Sequence, residues 1–138
     1  MKRILGIDYG DVRVGLSLSD LTQTIAKPFK TINYSSSENL LDQLKRIIVE
    51  HEVCKIIVGI PYNMKGENTP QTLKVKKFVS FLKSNSSYDI ALIDERLSSI
   101  EAEKTMHKMN IKTGHNKKEI DKIAASVILQ EYLDSSHV

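Results

Sequence analysis

Acidic residues that follow apolar segments are the part of this chain best suited to chemistry. Asp8 ends the first apolar segment, Asp94 and Glu95 follow another at residues 90–93, and Asp121 begins the last run of regularly spaced apolar residues. Converging carboxylates repel one another unless a cation joins them, and hard ions such as Mg²⁺ prefer carboxylate, water and phosphate oxygens. One or two such ions could activate water and stabilise the leaving oxygen in phosphodiester cleavage.

The pleat of a strand limits which of these side chains can meet. Asp8 shares a strand face with Ile4 and Gly6, which places it at the rim of a core. Successive strand residues point to opposite faces, so only one of Asp94 and Glu95 can face Asp8. The sequence pattern does not decide which of the two acids faces Asp8.

Asp121 lies in the first turn of the last predicted helix, on the flank of its apolar stripe, and could face a strand end. Each acid taken singly also has a structural interpretation. Asp8 suits a turn, Asp121 suits the positive end of a helix dipole, and Glu95 could pair with Arg96. The joint placement of the acids is what favours a functional site.

Basic residues near these acids could hold a phosphate backbone. Arg13 points away from the apolar face of its strand and could bind a phosphate or Asp20. The polar, basic segment 110–118 leads directly into the last acid, whereas the lysines within 74–77 are typical of a solvated helix face. The candidates for nucleic-acid contact are therefore Arg13, Arg96, Lys117 and Lys118.

Strand patterns place these residues on a mixed sheet. Three strands are predicted first, at 2–8, 12–19 and 24–33, and Pro28 marks the third as an edge or bulged strand. Continuous apolar runs at 55–60 and 90–93 are typical of parallel strands covered on both faces.

Four helices are predicted between and after the strands. Ser35 and Glu38 match a capping box, and Thr69 and Pro70 match a cap and a first helical residue. The predicted spans are 35–51, 69–82, 98–108 and 120–133. This order indicates an α/β fold with a five-stranded mixed sheet, three antiparallel strands followed by parallel ones, flanked by helices.

Length and composition predict one domain over residues 1–138. Apolar residues make up 41% and charged residues 27%, which is ordinary globular usage, and the net charge is +3. No segment approaches the ~18 apolar residues of a membrane span, so we expect no membrane contact and a cytoplasmic location. Cys54, beside an apolar run, is predicted to be a small core residue.

Four ordered motifs together resemble the pre-16S rRNA nucleases, also described as Holliday-junction-resolvase-like proteins. The motifs are GIDYGDVRVGLSLSD (6–20), VGIPYNMKG (58–66), DERLSSIEA (94–102) and DKIAASVILQEYL (121–133), and they span nearly the whole chain. The resemblance implies a ribonuclease-H-like fold and a Mg²⁺- or Mn²⁺-dependent nuclease that matures the 5′ end of the small-subunit rRNA precursor. It also implies that Asp8, Glu95 and Asp121 are the catalytic metal ligands.

Other functions are also compatible with the sequence. The chain could be a Holliday-junction-resolvase-like endonuclease on branched DNA, or a non-catalytic rRNA-binding factor that acts on ribosomal particles. An actin-like or sugar-kinase-like ATPase would also begin with an Asp-Gly hairpin, but such enzymes clamp nucleotide between two domains. A monomer and a homodimer are both compatible with the sequence.

Overall fold

The structure, a computed structural model, describes residues 2–96 and 117–136, with the main chain alone at Lys117. The helix predicted at 98–108 lies outside the described residues, as does most of the 110–118 segment. The elements are β1 (Arg3–Asp8), β2 (Arg13–Ser19), β3 (Ala26–Asn33), α1 (Ser37–Glu50), β4 (Val53–Ile60), α2 (Pro70–Asn85), β5 (Ile90–Asp94) and α3 (Lys117–Ser136).

The five strands form one mixed sheet in the order β3-β2-β1-β4-β5. The pairs β1–β2 and β2–β3 are antiparallel, whereas β1–β4 and β4–β5 are parallel. This confirms the predicted fold class. Because β1, β4 and β5 run in the same direction, the residues that follow them all reach one edge of the sheet.

The outer strand β3 carries the irregularity that Pro28 predicts. Leu16 of β2 pairs with Lys30, but the next residue, Ser17, pairs with Pro28. Phe29 is therefore an extra residue, and the bulge lies next to a proline that cannot donate a ladder hydrogen bond. The prediction of an edge strand with a bulge is confirmed.

Helices cover both faces of the sheet because its central strands are apolar on both. On one face, α1 and α2 pack against Leu5 and Ile7 of β1 and Val58 of β4, all fully buried. On the other face, within the residues that the structure describes, α3 packs through the buried residues Ile128, Leu129 and Leu133. Full burial of each such side chain contributes about 1.5–3 kcal/mol, so α3 is held by its apolar stripe.

Several local predictions are wrong. The N-cap of α1 is Ser36, whose side chain accepts from the backbone N–H of Asn39, so the Ser35–Glu38 capping box does not form. Cys54 is exposed, since full burial of β4 begins only at Ile56. Strand β5 is not covered on both faces as predicted. It lies at the sheet edge, and its Leu92 keeps 42% of its surface exposed.

The N-terminus of α2 is as predicted, with Thr69 as the cap and Pro70 in the first turn. Within the described residues, no helix is both long enough and apolar enough to span a membrane.

Candidate active site

Asp8 lies at the end of β1 with a glycine beside it on each neighbouring strand. It pairs with Gly15 of β2. On the other side Ile7 pairs with Val58, so the next residue of β4, Gly59, comes beside Asp8. Since Ile4 packs under α3 in the same pleat, Asp8 belongs to the α3 face of the sheet, as the alternation predicts.

The glycines let α3 approach the sheet at backbone distance. An ideal Cβ built on Gly15 would lie 2.0 Å from the main-chain oxygen of Asp121. A Cβ on Gly6 would lie 2.8 Å from Cβ of Leu129. The hydroxyl of Ser17 donates to the main-chain oxygen of Ala125 at 2.7 Å, which anchors the middle of the helix.

These contacts bring Asp121 next to Asp8. The backbone of Asp121 touches Gly15, the residue that pairs with Asp8. Asp121 lies in the second turn of α3, since the helix begins at Lys117 and not at residue 120. The fold therefore places the backbone of Asp121 against the strand residue that pairs with Asp8.

Glu95 approaches from the opposite side. Its backbone N–H donates to the oxygen of Ile60 at 3.1 Å, which carries β5 one residue past its last pair. Its side chain is only 4% exposed. The Oε2 atom would lie 3.0 Å from a Cβ built on Gly59, so the missing glycine side chain makes the space that the carboxylate occupies.

The choice between Asp94 and Glu95 follows from this geometry. Asp94 pairs with Ile60, on the face of the sheet that α1 and α2 cover, and its carboxylate binds Arg96 with Nη2–Oδ2 at 2.7 Å. That guanidinium lowers the pKa of Asp94. Glu95 is the acid on the face of Asp8.

Arg13 binds Asp121 and not Asp20. Its Nε donates to Oδ2 of Asp121 at 2.6 Å, with 31% and 25% of the two side chains exposed. Asp20 instead accepts from the N–H groups of Thr24 and Ile25 and from the hydroxyl of Thr22. A crevice of about 210 Å³, lined by Gly10, Asp11, Val12, Arg13 and Asp121, opens beside the ion pair.

The carboxylates are arranged around Asp8 but do not form a preassembled metal centre. Among residues 2–96 and 117–136, no three Asp, Glu, His or Cys side chains are placed to hold an ion together. The donor chemistry suits a hard divalent cation, since all three groups are carboxylates. For Asp121 to be a ligand, its carboxylate must be shared between Arg13 and the ion or exchange one for the other.

The turn that follows Asp8 is held by two side-chain hydrogen bonds. The hydroxyl of Tyr34 donates to the oxygen of Gly10 at 2.5 Å, and burial raises the pKa of Tyr34 so that it stays protonated. The amide of Gln71 donates to the oxygen of Tyr9 at 3.1 Å. These bonds hold the end of β1, and with it Asp8, in position.

The other candidate basic residues are placed as follows. Arg96 caps Asp94 and lies over the ring of Tyr62, with 5.6 Å from Cζ to the ring centre. Lys117 and Lys118 belong to the first turn of α3 and not to a loop, and Lys118 is exposed. The nucleic-acid role of these residues stays a prediction.

Sequence reasoning missed the part played by glycine. Gly59 lies inside β4 and makes room for Glu95 and Ile128. Glycine is unfavourable in strand interiors, so Gly6, Gly15 and Gly59 at strand positions were the available signal for a close approach of another backbone or ligand.

Comparison with protein families gives one full-length match. Residues 2–135 match the model of RuvX, described as Holliday junction resolvase. A protein of Thermoanaerobacter pseudethanolicus named "Putative pre-16S rRNA nuclease" is 47% identical over 134 residues, covering 96% of each chain. One of the same name from Clostridioides difficile is 41% identical over 132 residues, 96% of this chain and 94% of the relative.

Solved structures share the fold at low sequence identity. Thermus thermophilus RuvC in complex with a Holliday junction substrate superposes with a TM-score of 0.61 at 10% identity, over 99% of this chain and 96% of that one. The yeast mitochondrial Holliday junction resolvase Ydc2 gives 0.60 at 14% identity, over 96% and 78%. The sheet and helices therefore form a ribonuclease-H-like resolvase fold.

Proposed function

The chain belongs to the RuvX family, and we propose on that basis that it is a metal-dependent ribonuclease that processes the 5′ end of pre-16S rRNA. The relatives at 47% and 41% identity are named "Putative pre-16S rRNA nuclease", and the similarity covers nearly their whole length. The observation that carries the proposal is the position of Asp8 between Gly15 and Gly59, with Asp121 beside the first glycine and the Glu95 carboxylate over the second.

The proposed catalytic residues are Asp8, Glu95 and Asp121. Asp8, at the end of β1, and Glu95, just after β5, would hold one or two Mg²⁺ or Mn²⁺ ions across the intervening end of β4, and Asp121 would join them from α3. When bound, such ions lower the pKa of water and stabilise the leaving oxygen of a phosphodiester. The near-complete burial of Glu95 excludes bulk water from one side of the site and strengthens its interaction with a cation.

Arg13 has two tasks in this proposal. In the metal-free protein its guanidinium neutralises Asp121, which limits repulsion between the carboxylates. Once Asp121 turns to the ion, Arg13 is released beside the crevice that Gly10 and Asp11 also line. A planar guanidinium suits a phosphate there, because it can donate two parallel hydrogen bonds.

Arg96, Lys117 and Lys118 are proposed to contact the nucleic-acid backbone further out. Arg96 already binds Asp94, so a contact with the substrate would be made in addition to that pair or in exchange for it. Lys117 and Lys118 lie at the N-terminal end of α3, where the helix dipole also favours an anion.

The substrate is tested by giving the wild-type protein two nucleic acids. One is a 5′-extended 16S rRNA precursor and the other is a four-way DNA junction, each with Mg²⁺, with Mn²⁺ and with EDTA. We expect metal-dependent cleavage of the precursor in its 5′ extension. Cleavage of the junction alone would favour a DNA resolvase, since a Holliday junction is the substrate named for the RuvC structure.

A non-catalytic rRNA-binding factor is the remaining alternative. It would bind the precursor, alone or in a ribosomal particle, and cleave neither substrate with either metal. A ribosomal RNA substrate agrees with the expected cytoplasmic location. Sedimentation of the same sample would distinguish a monomer from a homodimer.

A further inference from the structure

A second recess lies at the same sheet edge as Asp8 but on the opposite face. Its volume is about 450 Å³, and its walls include three aromatic rings, two lysines and one acid: Tyr9, Phe78, Phe81, Lys74, Lys77 and Glu38. Tyr9 directly follows Asp8 in the chain. A residue of the recess therefore directly follows the proposed catalytic acid in the chain, and its side chain lies on the other face of the sheet.

The topology places two helix N-termini around this recess. Strands β1 and β4 are parallel, and β3 is antiparallel to β2, which is antiparallel to β1. The helices that follow β3 and β4 therefore begin at the edge where Asp8 lies. The first turn of α2 carries no acid, so the positive end of its dipole is not offset by a carboxylate of its own.

The aromatic wall is rigid and partly accessible. The ring of Tyr9 stacks on Phe78 with centroids 4.4 Å apart and planes at 22°. Tyr9 and Phe81 are only partly buried, so both retain surface toward the recess. Rings held in this way are suited to stacking against a planar heteroaromatic group.

The lysines give the recess its charge. Lys74 is paired with Asp11 at 3.1 Å, whereas Lys77 is exposed on the next turn of α2. Glu38, at the start of α1, offsets part of this charge. An aromatic wall with lysines at its rim matches a nucleotide, whose base can stack while its phosphate meets the ammonium groups.

We propose that this recess binds one unpaired nucleotide of the substrate strand, next to the phosphate that the Asp8 site would cleave. Single-stranded nucleic acid fits because a base inside a duplex has both faces covered by its neighbours. The inference rests on the proposed nuclease function and adds that the strand is recognised in unpaired form. Lys77 and Phe81 are the binding residues, and Tyr9 connects the recess to the catalytic turn.

The test measures binding in EDTA, where the proposed cleavage cannot occur. The probe is a single-stranded RNA oligonucleotide with one 2-aminopurine, and the comparison is the same strand in a complete duplex. Lys77→Glu removes the cation, and Phe81→Leu removes the ring but keeps an apolar side chain. Lys83→Glu, an equal charge change at an exposed position of α2 outside the recess, is the matched control.

We expect Lys77→Glu to weaken single-strand binding about tenfold, and Phe81→Leu to weaken it about fivefold and reduce 2-aminopurine quenching. Lys83→Glu should stay within about twofold of wild type. Unchanged binding in Lys77→Glu and Phe81→Leu, with folding checked by circular dichroism, would overturn the inference. Equal losses on single strand and duplex would overturn it too.

Failure of the subsite is distinguishable from failure of the nuclease function. If wild-type protein cleaves the precursor but the two variants bind and quench normally, the subsite is wrong and the nuclease function stands. If the wild-type protein cleaves nothing, but both variants lose single-strand binding as expected, the recess binds nucleotides without the proposed catalysis.

Discussion

Asp121 and Arg13 define the electrostatic state of the proposed site at the scale of single residues. Their 2.6 Å ion pair is partly exposed, so its net contribution to stability is small, as for most surface pairs. Its consequence is functional, because a divalent ion and the guanidinium compete for the same carboxylate.

The competition gives a prediction for Arg13→Gln. We expect Mn²⁺ to bind the variant as tightly as wild type or several-fold more tightly, because Asp121 no longer has to exchange a cation. The same variant should cleave RNA with kcat/KM lowered about 10- to 100-fold through a lost phosphate contact. Titration calorimetry and steady-state kinetics measure the two effects.

Arg46→Gln, at an exposed position of α1, is the control for loss of one arginine charge. Weaker Mn²⁺ binding in Arg13→Gln would contradict this account. It would mean that Arg13 orients Asp121 for the metal and does not compete with it.

Asp20, the last residue of the first motif, has a structural role instead. The N–H groups of Ile25 and Thr24 and the hydroxyl of Thr22 lower the pKa of Asp20 to about 2. The pKa of an unfolded Asp is about 3.9, so the stabilisation is present above pH ~4 and is lost as the pH falls toward 2.

The pH dependence of unfolding tests this role. The urea midpoint of Asp20→Asn should lie below that of wild type at pH 6, and the gap should close as the pH falls from about 4 to 2. Asp42→Asn, on the exposed side of α1, should show no such convergence. A gap that stays constant down to pH 2 would show that the ionised form of Asp20 is not what stabilises the turn.

At the scale of elements, the site depends on how closely α3 lies on the sheet. Gly15 and Gly6 admit its backbone, and Ser17 and Gln130 bond it to β2 and to the backbone N–H of Ala26 in β3. The backbone of Asp121 reaches Gly15, the residue that pairs with Asp8, only because the helix is this close. Packing and catalytic geometry are therefore coupled through the glycines.

Gly15→Ala tests this coupling. The added methyl group would meet the main chain of Asp121, which cannot yield as a flexible side chain would. We expect a loss of about 1–3 kcal/mol in the free energy of unfolding, together with loss of cleavage under conditions where the variant is folded. Urea denaturation and a cleavage assay measure the two.

Val49→Ala is the control, because Val49 is 79% exposed on α1, outside the crevice beside Asp121, and should change neither quantity by much. Wild-type stability in Gly15→Ala would contradict the close approach of α3. Wild-type cleavage in a destabilised but folded variant would show that the position of Asp121 is not critical.

At the scale of the whole molecule, parallel β1, β4 and β5 bring their carboxyl ends to one edge, where ligands of open α/β sheets bind. The sequence was sufficient to predict this arrangement, since alternation and apolar runs identify strands and their order limits the topology. The place of Asp8 at the end of β1 was predictable, because the end of a strand can be recognised from neighbouring residues in the sequence.

Long-range features were beyond the sequence pattern. The choice between Asp94 and Glu95 depends on the pairing of β5 with Ile60, and the partner of Arg13 depends on where α3 crosses β2. Neither contact is encoded in local spacing. Shifts of one residue, as between Ser35 and Ser36 at α1, also exceed what cap preferences resolve.

The most direct test of the central claim is the metal-dependent cleavage rate of Asp8→Asn on the 5′-extended rRNA precursor. Asp42→Asn, the same chemical change at an exposed position of α1, is measured beside it. With Mn²⁺ present and folding confirmed by circular dichroism, we expect Asp8→Asn to lose at least about 1,000-fold in rate and Asp42→Asn to cleave as wild type does. Cleavage by Asp8→Asn at the wild-type rate would contradict the account.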